Sequence, residues 1–249
     1  MQNEVPRYLK SGSGLTAASL KRMAALAMLI DHIGVVLIGN SCCSGYEAGS
    51  AADNVYMITR AIGRLSLPCF VLLLVEGFLH THDLRKYILR MGVFMLVSEI
   101  PFDLVFFGKL FEPSKQSIMV SLCLSLLMLS VIKTVRDRRE VLPGKRKTEA
   151  VLVILTVAAF SACAYFLQAD YGFLCPALAA SFYLFYGREP YRTITGCALL
   201  FADREVFSVT AYIPIYFYNG EKGKSSRYFF YIFYPAHLMA LWLLKRYAM

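Results

Sequence analysis

The stretch from residue 20 to residue 39, LKRMAALAMLIDHIGVVLIG, constrains this chain more than any other. A helical span of a bilayer needs about 20 mostly apolar residues, and this run supplies them. It is too long for the apolar core of a signal peptide and follows a polar tail, so it is expected to stay as a span. Yet Asp31 and His32 stand side by side near its middle. An ionisable side chain at the centre of a span costs at least ~2.5–3.5 kcal/mol on insertion scales, so such residues face a partner or a polar cavity rather than lipid.

The rest of the chain repeats the pattern. Hydrophobic residues make up 57% of the 249 and charged residues 17%, more apolar surface than a water-soluble domain of this size can bury. The apolar runs are continuous rather than alternating, which argues against a membrane barrel. The expected fold is all-α, a polytopic transmembrane bundle of about 8–10 spans enclosing a polar cavity, in one domain over residues 1–249. Spans are expected at 20–39, 55–79 with a kink at Pro68, 87–107 with another at Pro101, 117–135, 150–168, 172–187 and 228–246. Residues 193–218 carry Asp203-Arg204-Glu205 at their centre. They read either as one polar-centred span or as two short helices meeting at a turn.

The net charge of +9 invites a nucleic-acid reading, but its placement argues for topology. Seven basic residues fall in KTVRDRREVLPGKRKTE, residues 133–149, while residues 40–54 hold none. That asymmetry is the positive-inside pattern. It puts the tail 1–18 and the loops 80–90, 133–149 and 188–192 in the cytoplasm, leaves 40–54 outside, and requires no nucleic-acid partner. The basic segment NGEKGKSSR, residues 219–227, falls inside if 193–218 is two short helices, and that reading is preferred. The seven cysteines show no metal spacing and no CxxC, so neither a metal nor a disulfide framework is expected. Cys42 and Cys43 fall in the outer loop.

Depth organises the polar residues. At 1.5 Å per residue, His32 and Glu99 each lie ~18 Å into outward-running spans, and Arg64 lies ~14 Å below the outer surface on the returning span. His237 falls near the middle of the last span, with Asp31, Arg60 and Asp103 about a turn away. One polar layer follows, with two readings. Asp31 pairs with Arg60 or Arg64 and merely ties helices together, or the layer lines a reactive cavity. Arg60 and Arg64 share a face as an i, i+4 pair. Lys21 and His32, eleven residues apart, lie about 20° apart around the helix and ~16 Å apart along it. A ligand with an anionic head and a long thin arm, the shape of coenzyme A, spans that distance.

The stretches LKRMAALAMLIDHIG, RAIGRLSLPCFVLLLVEGF, KYILRMGVFMLVSEIPFDL, DYG at 170–172, YNGEKG at 218–223 and RYFFYIFYPAHL at 227–238 occur in this order. Together they resemble the TraX family of bacterial multi-pass membrane acetyltransferases, associated with N-terminal acetylation of conjugative pilin. That family is similar to the acyltransferase family 3 enzymes, which begin with an arginine, ten residues and a histidine; here Lys21 and His32 stand in that arrangement. Where TraX-like chains have an Asn-Val-Phe-Thr-Leu type of run, this one has QSIMVSLCL, and residues 116–124 are given no role.

The resemblance implies acyl transfer, acetyl first, from cytoplasmic acetyl-CoA to an amine or hydroxyl of a peptide, pilin-like or envelope acceptor, in the bacterial cytoplasmic membrane. His32 is then the general base or the acyl carrier. Adjacent helical positions do not face each other, so Asp31 pairs across to an arginine, and Glu99 or Glu76 is the expected partner of His32. Arg64 stabilises the oxyanion. Lys21, Arg22, Arg60, Asn219, Lys222 and Lys224 are donor-binding candidates, and Glu76, Asp103 and His237 line the cavity. For the loop lysines, positive-inside topology is an equal explanation, and Asn219-Gly220 also reads simply as a helix C-cap. The rivals are a proton-coupled carrier using the same buried groups, an intramembrane hydrolase, and a scaffold without chemistry. Against the carrier stands the lack of repeated halves; against the hydrolase, the position of SGSG in the polar tail.

Overall fold

The computed structural model describes residues 14–39, 50–141, 144–224 and 229–248. Among them the chain is all-α, without a strand. Residues 40–49, with Cys42 and Cys43, most of the tail 1–18, and the start of the RYFF run lie outside the described residues. The helices are α1 (Ala17–Ile33), α2 (Ala51–Gly63), α3 (Ser66–Leu79), α4 (Leu84–Phe107), α5 (Ile118–Asp137), α6 (Arg146–Phe166), α7 (Leu174–Leu184), α8 (Glu189–Ala202), α9 (Tyr212–Tyr216) and α10 (Phe229–Ala248).

Among the described residues four stretches are long and apolar enough to cross a membrane: Ala17–Gly39, Ala51–Leu79, Ile118–Asp137 and Arg146–Phe166. Leu174–Leu184 and Val206–Tyr216 are apolar but shorter. The surface matches a lipid environment: Leu89, Val93, Leu96, Val97 and Ile100 of α4 are each about half exposed or more, as are Val151, Ile154 and Leu155 of α6. Contiguous apolar faces of this kind are rare on water-soluble monomers.

Helix starts follow their capping residues. Thr16 Oγ1 accepts from Ser19 N at 3.3 Å, Ser50 Oγ from Asp53 N at 3.2 Å, and Ser117 Oγ from Met119 N at 3.2 Å. The break in the second span falls at Arg64-Leu65, between α2 and α3, rather than at Pro68 itself. A proline ring crowds the carbonyl four residues earlier, here that of Arg64, so the helix yields ahead of Pro68. Ser66 Oγ donates to the Gly63 carbonyl at 2.7 Å and satisfies it. Pro101, by contrast, lies inside a continuous α4.

The chain forms two compact units, residues 1–73, 100–111 and 200–249 in one and residues 74–99 and 112–199 in the other. In the first, α1 packs along α2 and continues through a π-helical turn, Gly34–Gly39; α10 also lies against α1. Residues 193–218 do not make one span. After Ala202 the chain turns at Arg204, whose φ is +60°, and continues as a 3-10 helix, Val206–Ala211, into α9. The second unit is centred on α5, packed by α6 and α7, with Leu126, Met128, Leu129, Ile132, Leu174 and Leu178 fully buried. Polar side chains recur along α5: Ser121 Oγ donates to the Asp170 carbonyl at 2.5 Å and Ser125 Oγ to the Ser121 carbonyl at 2.7 Å.

Candidate functional site

The first unit brings two histidines together from positions 205 residues apart. His32 Nδ1 and His237 Nε2 lie 2.7 Å apart. The ring centroids are 5.0 Å apart and the planes differ by 6°, so the imidazoles meet edge to edge in one plane, joined by an N–H···N bond. The second nitrogen of His237, Nδ1, lies 2.7 Å from the Phe233 carbonyl oxygen one turn earlier on α10. Phe106 and Tyr234 present edges to His32 at centroid distances of 5.7 and 6.2 Å. His237 and Tyr234 are buried; His32 is partly exposed. The sequence pointed to Glu99 or Glu76 as the partner of His32; the partner in the structure is His237.

Next to the pair lie two ion pairs. Arg60 Nη1 donates to Asp31 Oδ2 at 2.6 Å, joining α2 to α1, and Arg64 Nη1 lies 2.6 Å from Glu205 Oε1, joining α2 to the turn after α8. Ser208 Oγ also donates to Glu205 at 3.4 Å. Arg60 and Arg64 thus use the shared face expected of an i, i+4 pair, and each meets a different carboxylate. In the sequence, Asp203-Arg204-Glu205 reads only as a divider between two apolar pieces; the structure makes Glu205 a neighbour of the site. Its acidity in an apolar stretch is the one signal of a need for a partner. Asp103 is buried in the part of α4 that belongs to this unit.

The candidates at the start of α1 and in residues 219–224 also assemble. Residues 217–222 fold onto the start of α1: Leu15 N donates to the Phe217 carbonyl at 2.7 Å, Asn219 N to Leu15 at 2.9 Å, Ala17 N to Glu221 at 2.8 Å and Ala18 N to Lys222 at 3.1 Å. Asn219 Oδ1 accepts from Glu221 N at 3.0 Å and turns the chain there. Gly223, with φ +64°, lies where a Cβ would collide with the Thr16 side chain. Lys222 and Lys224 therefore join Lys21 and Arg22 around one end of α1, and Lys21 and Lys222 are close enough to repel. The first amides of α1 already donate to Glu221, Lys222 and Thr16, so this end offers side-chain cations, not free backbone donors. The segment 219–224 lies at the N-terminal end of α1, as the two-short-helices reading requires.

In the second unit Glu99 accepts from Ser117 through its backbone N and its hydroxyl. Glu76 accepts from Tyr186 Oη at 3.1 Å and lies 3.3 Å from His80 Nδ1. Outside the spans, Asp83 caps the start of α4; its bonds from the Lys86 backbone and side chain hold its carboxyl below the ordinary range. Among the described residues no group of three or more His, Cys, Asp or Glu is placed to hold a metal.

The family model described as "TraX protein" matches residues 16–245, from the cap of α1 to Lys245. The chain belongs to the TraX family. All the candidate site residues fall inside the matched span. This TraX-family chain is also 27% identical over 254 residues to the "Probable fimbrial assembly protein FimC, serogroup H1" of Dichelobacter nodosus, covering 91% of this chain and 94% of that protein. No solved structure matches it.

Proposed function

We propose that this TraX-family protein is an acyltransferase of the bacterial cytoplasmic membrane, passing an acetyl group from acetyl-CoA to an amine or hydroxyl. The observation that carries this reading is the His32–His237 pair on the same helix face as Lys21, ~16 Å along α1 from a four-cation cluster. That cluster fits the phosphates of the donor, and the distance fits its pantetheine arm. In the proposed reaction the acceptor N–H or O–H attacks the thioester carbonyl. Its proton passes to the imidazole of His32, the new C–N or C–O bond forms, the C–S bond breaks, and the leaving thiolate recovers the proton. Arg60 and Arg64 hold α2 in place through Asp31 and Glu205 and contribute positive potential near the developing oxyanion. The arrangement of Lys21 and His32 also supports the kinship with acyltransferase family 3.

The name of the Dichelobacter relative favours a fimbrial or pilin-like peptide as acceptor. Mass spectrometry of surface fibres, secreted peptides and envelope polymers from a deletion strain and its parent tests this; loss of an acetyl group identifies the acceptor. Detergent-solubilised protein is expected to bind acetyl-CoA. The alternative, a proton-coupled carrier built on the same ion pairs and histidines, does not require such binding.

Two further results are expected. Lys21→Ala raises the apparent KM for acetyl-CoA by up to about fivefold, the worth of an exposed ion pair, with kcat little changed, because its contact is with the distant phosphates. An unchanged KM removes Lys21 from the donor site. Single cysteines at Lys222 and at Lys147 are expected to resist an impermeant reagent in intact cells and to react in inverted vesicles. Labelling of either from outside reverses the proposed orientation.

A further inference from the structure

We infer that His237 is the positioning residue of His32: it fixes His32 as the tautomer protonated on Nδ1 and leaves Nε2 as the atom that takes the acceptor's proton. This rests on the proposed role of His32, but its geometry stands by itself. A carbonyl oxygen only accepts, so the 2.7 Å contact with Phe233 places a proton on His237 Nδ1. In a neutral ring Nε2 is then an acceptor. The proton in the 2.7 Å bond between the rings therefore belongs to His32 Nδ1. The reverse arrangement, with His237 Nε2 donating, sets a bare Nδ1 lone pair against the Phe233 carbonyl. A His237 protonated on both nitrogens puts a full charge at a buried position in the apolar run of α10. Its hydrogen bonds, among the described residues, go to a carbonyl and a neutral ring. The charged group of α2 that acts on His32, Arg60, is itself held by Asp31; Phe106 of α4 is apolar.

The chain Phe233 carbonyl, His237, His32 does the orienting work that a carboxylate does beside the histidine of many hydrolases. A neutral acceptor suits a bilayer, because no buried carboxylate has to be desolvated to orient the base. When His32 Nε2 takes the acceptor's proton, His32 carries the charge and its Nδ1–H continues to donate to His237. Return of that proton to the thiolate restores the starting tautomer, so His237 gains and loses nothing over a turnover.

The test is histidine-labelled magnetic resonance of the native chain in lipid. Only four histidines are present, and His80→Gln with His82→Gln leaves the two of interest. The expected spectrum has both rings neutral, both protonated on Nδ1, with a coupling across the bond between His32 Nδ1 and His237 Nε2. A proton on Nε2 of His32 overturns the inference. In turnover, His237→Gln, whose carbonyl oxygen accepts from His32, is expected to stay within about tenfold of the parent, while His237→Leu loses about a hundredfold. Equal losses in the two, or a His237→Leu protein as active as the parent, also overturn it. Retained turnover in His32→Ala would instead reject the acyl-transfer role while leaving the tautomer measurement to stand or fall independently.

Discussion

Replacement of His32 by alanine is expected to lower the proposed acetyl transfer by about 10²- to 10⁴-fold, the range of a general base, with membrane insertion and thermal stability little changed. The reasoning is local. His32 is partly exposed and gives up one hydrogen bond, to His237. Neither ion pair of the site passes through it: Asp31 is held by Arg60, and Arg64 by Glu205. Truncation therefore leaves the α1–α2 contact standing. It removes the one imidazole that shares a face with Lys21 and is oriented by a second ring. Turnover is measured with the acceptor identified by mass spectrometry, or with acetyl-CoA hydrolysis as a surrogate. A well-folded His32→Ala protein with parental turnover would reduce the histidine pair to helix-packing polarity.

The helices, four of them among the described residues long and apolar enough to cross a membrane, are legible in the sequence because continuous apolar runs are a composition-level signal that tertiary context does not overrule in lipid. The polar layer is legible in part. Depth along a helix can be counted, so His32, His237, Arg64 and Asp31 fall at one level by residue number alone. What depth does not give is azimuth between helices. Counted by residue number, His237 and Glu99 share the depth of His32, and the sequence offers no means of preferring the histidine. The residue that meets Arg64 is hidden for another reason. Glu205 reaches it only because the chain turns back at Arg204 in a left-handed conformation, and an arginine there carries no turn signature. The seating of residues 217–222 on α1 is made mostly of backbone hydrogen bonds, from Leu15, Ala17, Ala18 and Asn219, and these write no side-chain pattern into the sequence. The Asn219-Gly220 turn is visible there; its docking place is not.

A glycine-to-alanine change in a helix interior normally raises stability, by about 0.5–1 kcal/mol, because alanine has less backbone entropy to lose. Two glycines of this protein are expected to part company on that rule. Gly92, inside α4, has nothing within 4 Å of the place where a Cβ would sit, so Gly92→Ala is expected to follow the rule and raise the Tm in detergent. Gly63, at the end of α2, is buried, and a Cβ there would collide with both Cβ and Oδ1 of Asp31. Asp31 Cβ is fixed to the α1 backbone and cannot rotate away, so the helices must separate. Overpacking of this kind costs about 1–3 kcal/mol, more than the propensity gain, and Gly63→Ala is expected to lower the Tm. The displacement also reaches function. Asp31 precedes His32 on α1 and is tied to Arg60 on α2, so pushing it outward stretches the 2.6 Å ion pair and tilts the helix that presents His32 to His237. Turnover should fall with stability in Gly63→Ala and stay level in Gly92→Ala. A Gly63→Ala protein as stable and active as its parent would mean that α1 and α2 do not meet at Asp31 as closely as described, and the ion pair at Arg60 would then lose its part in aligning the histidines.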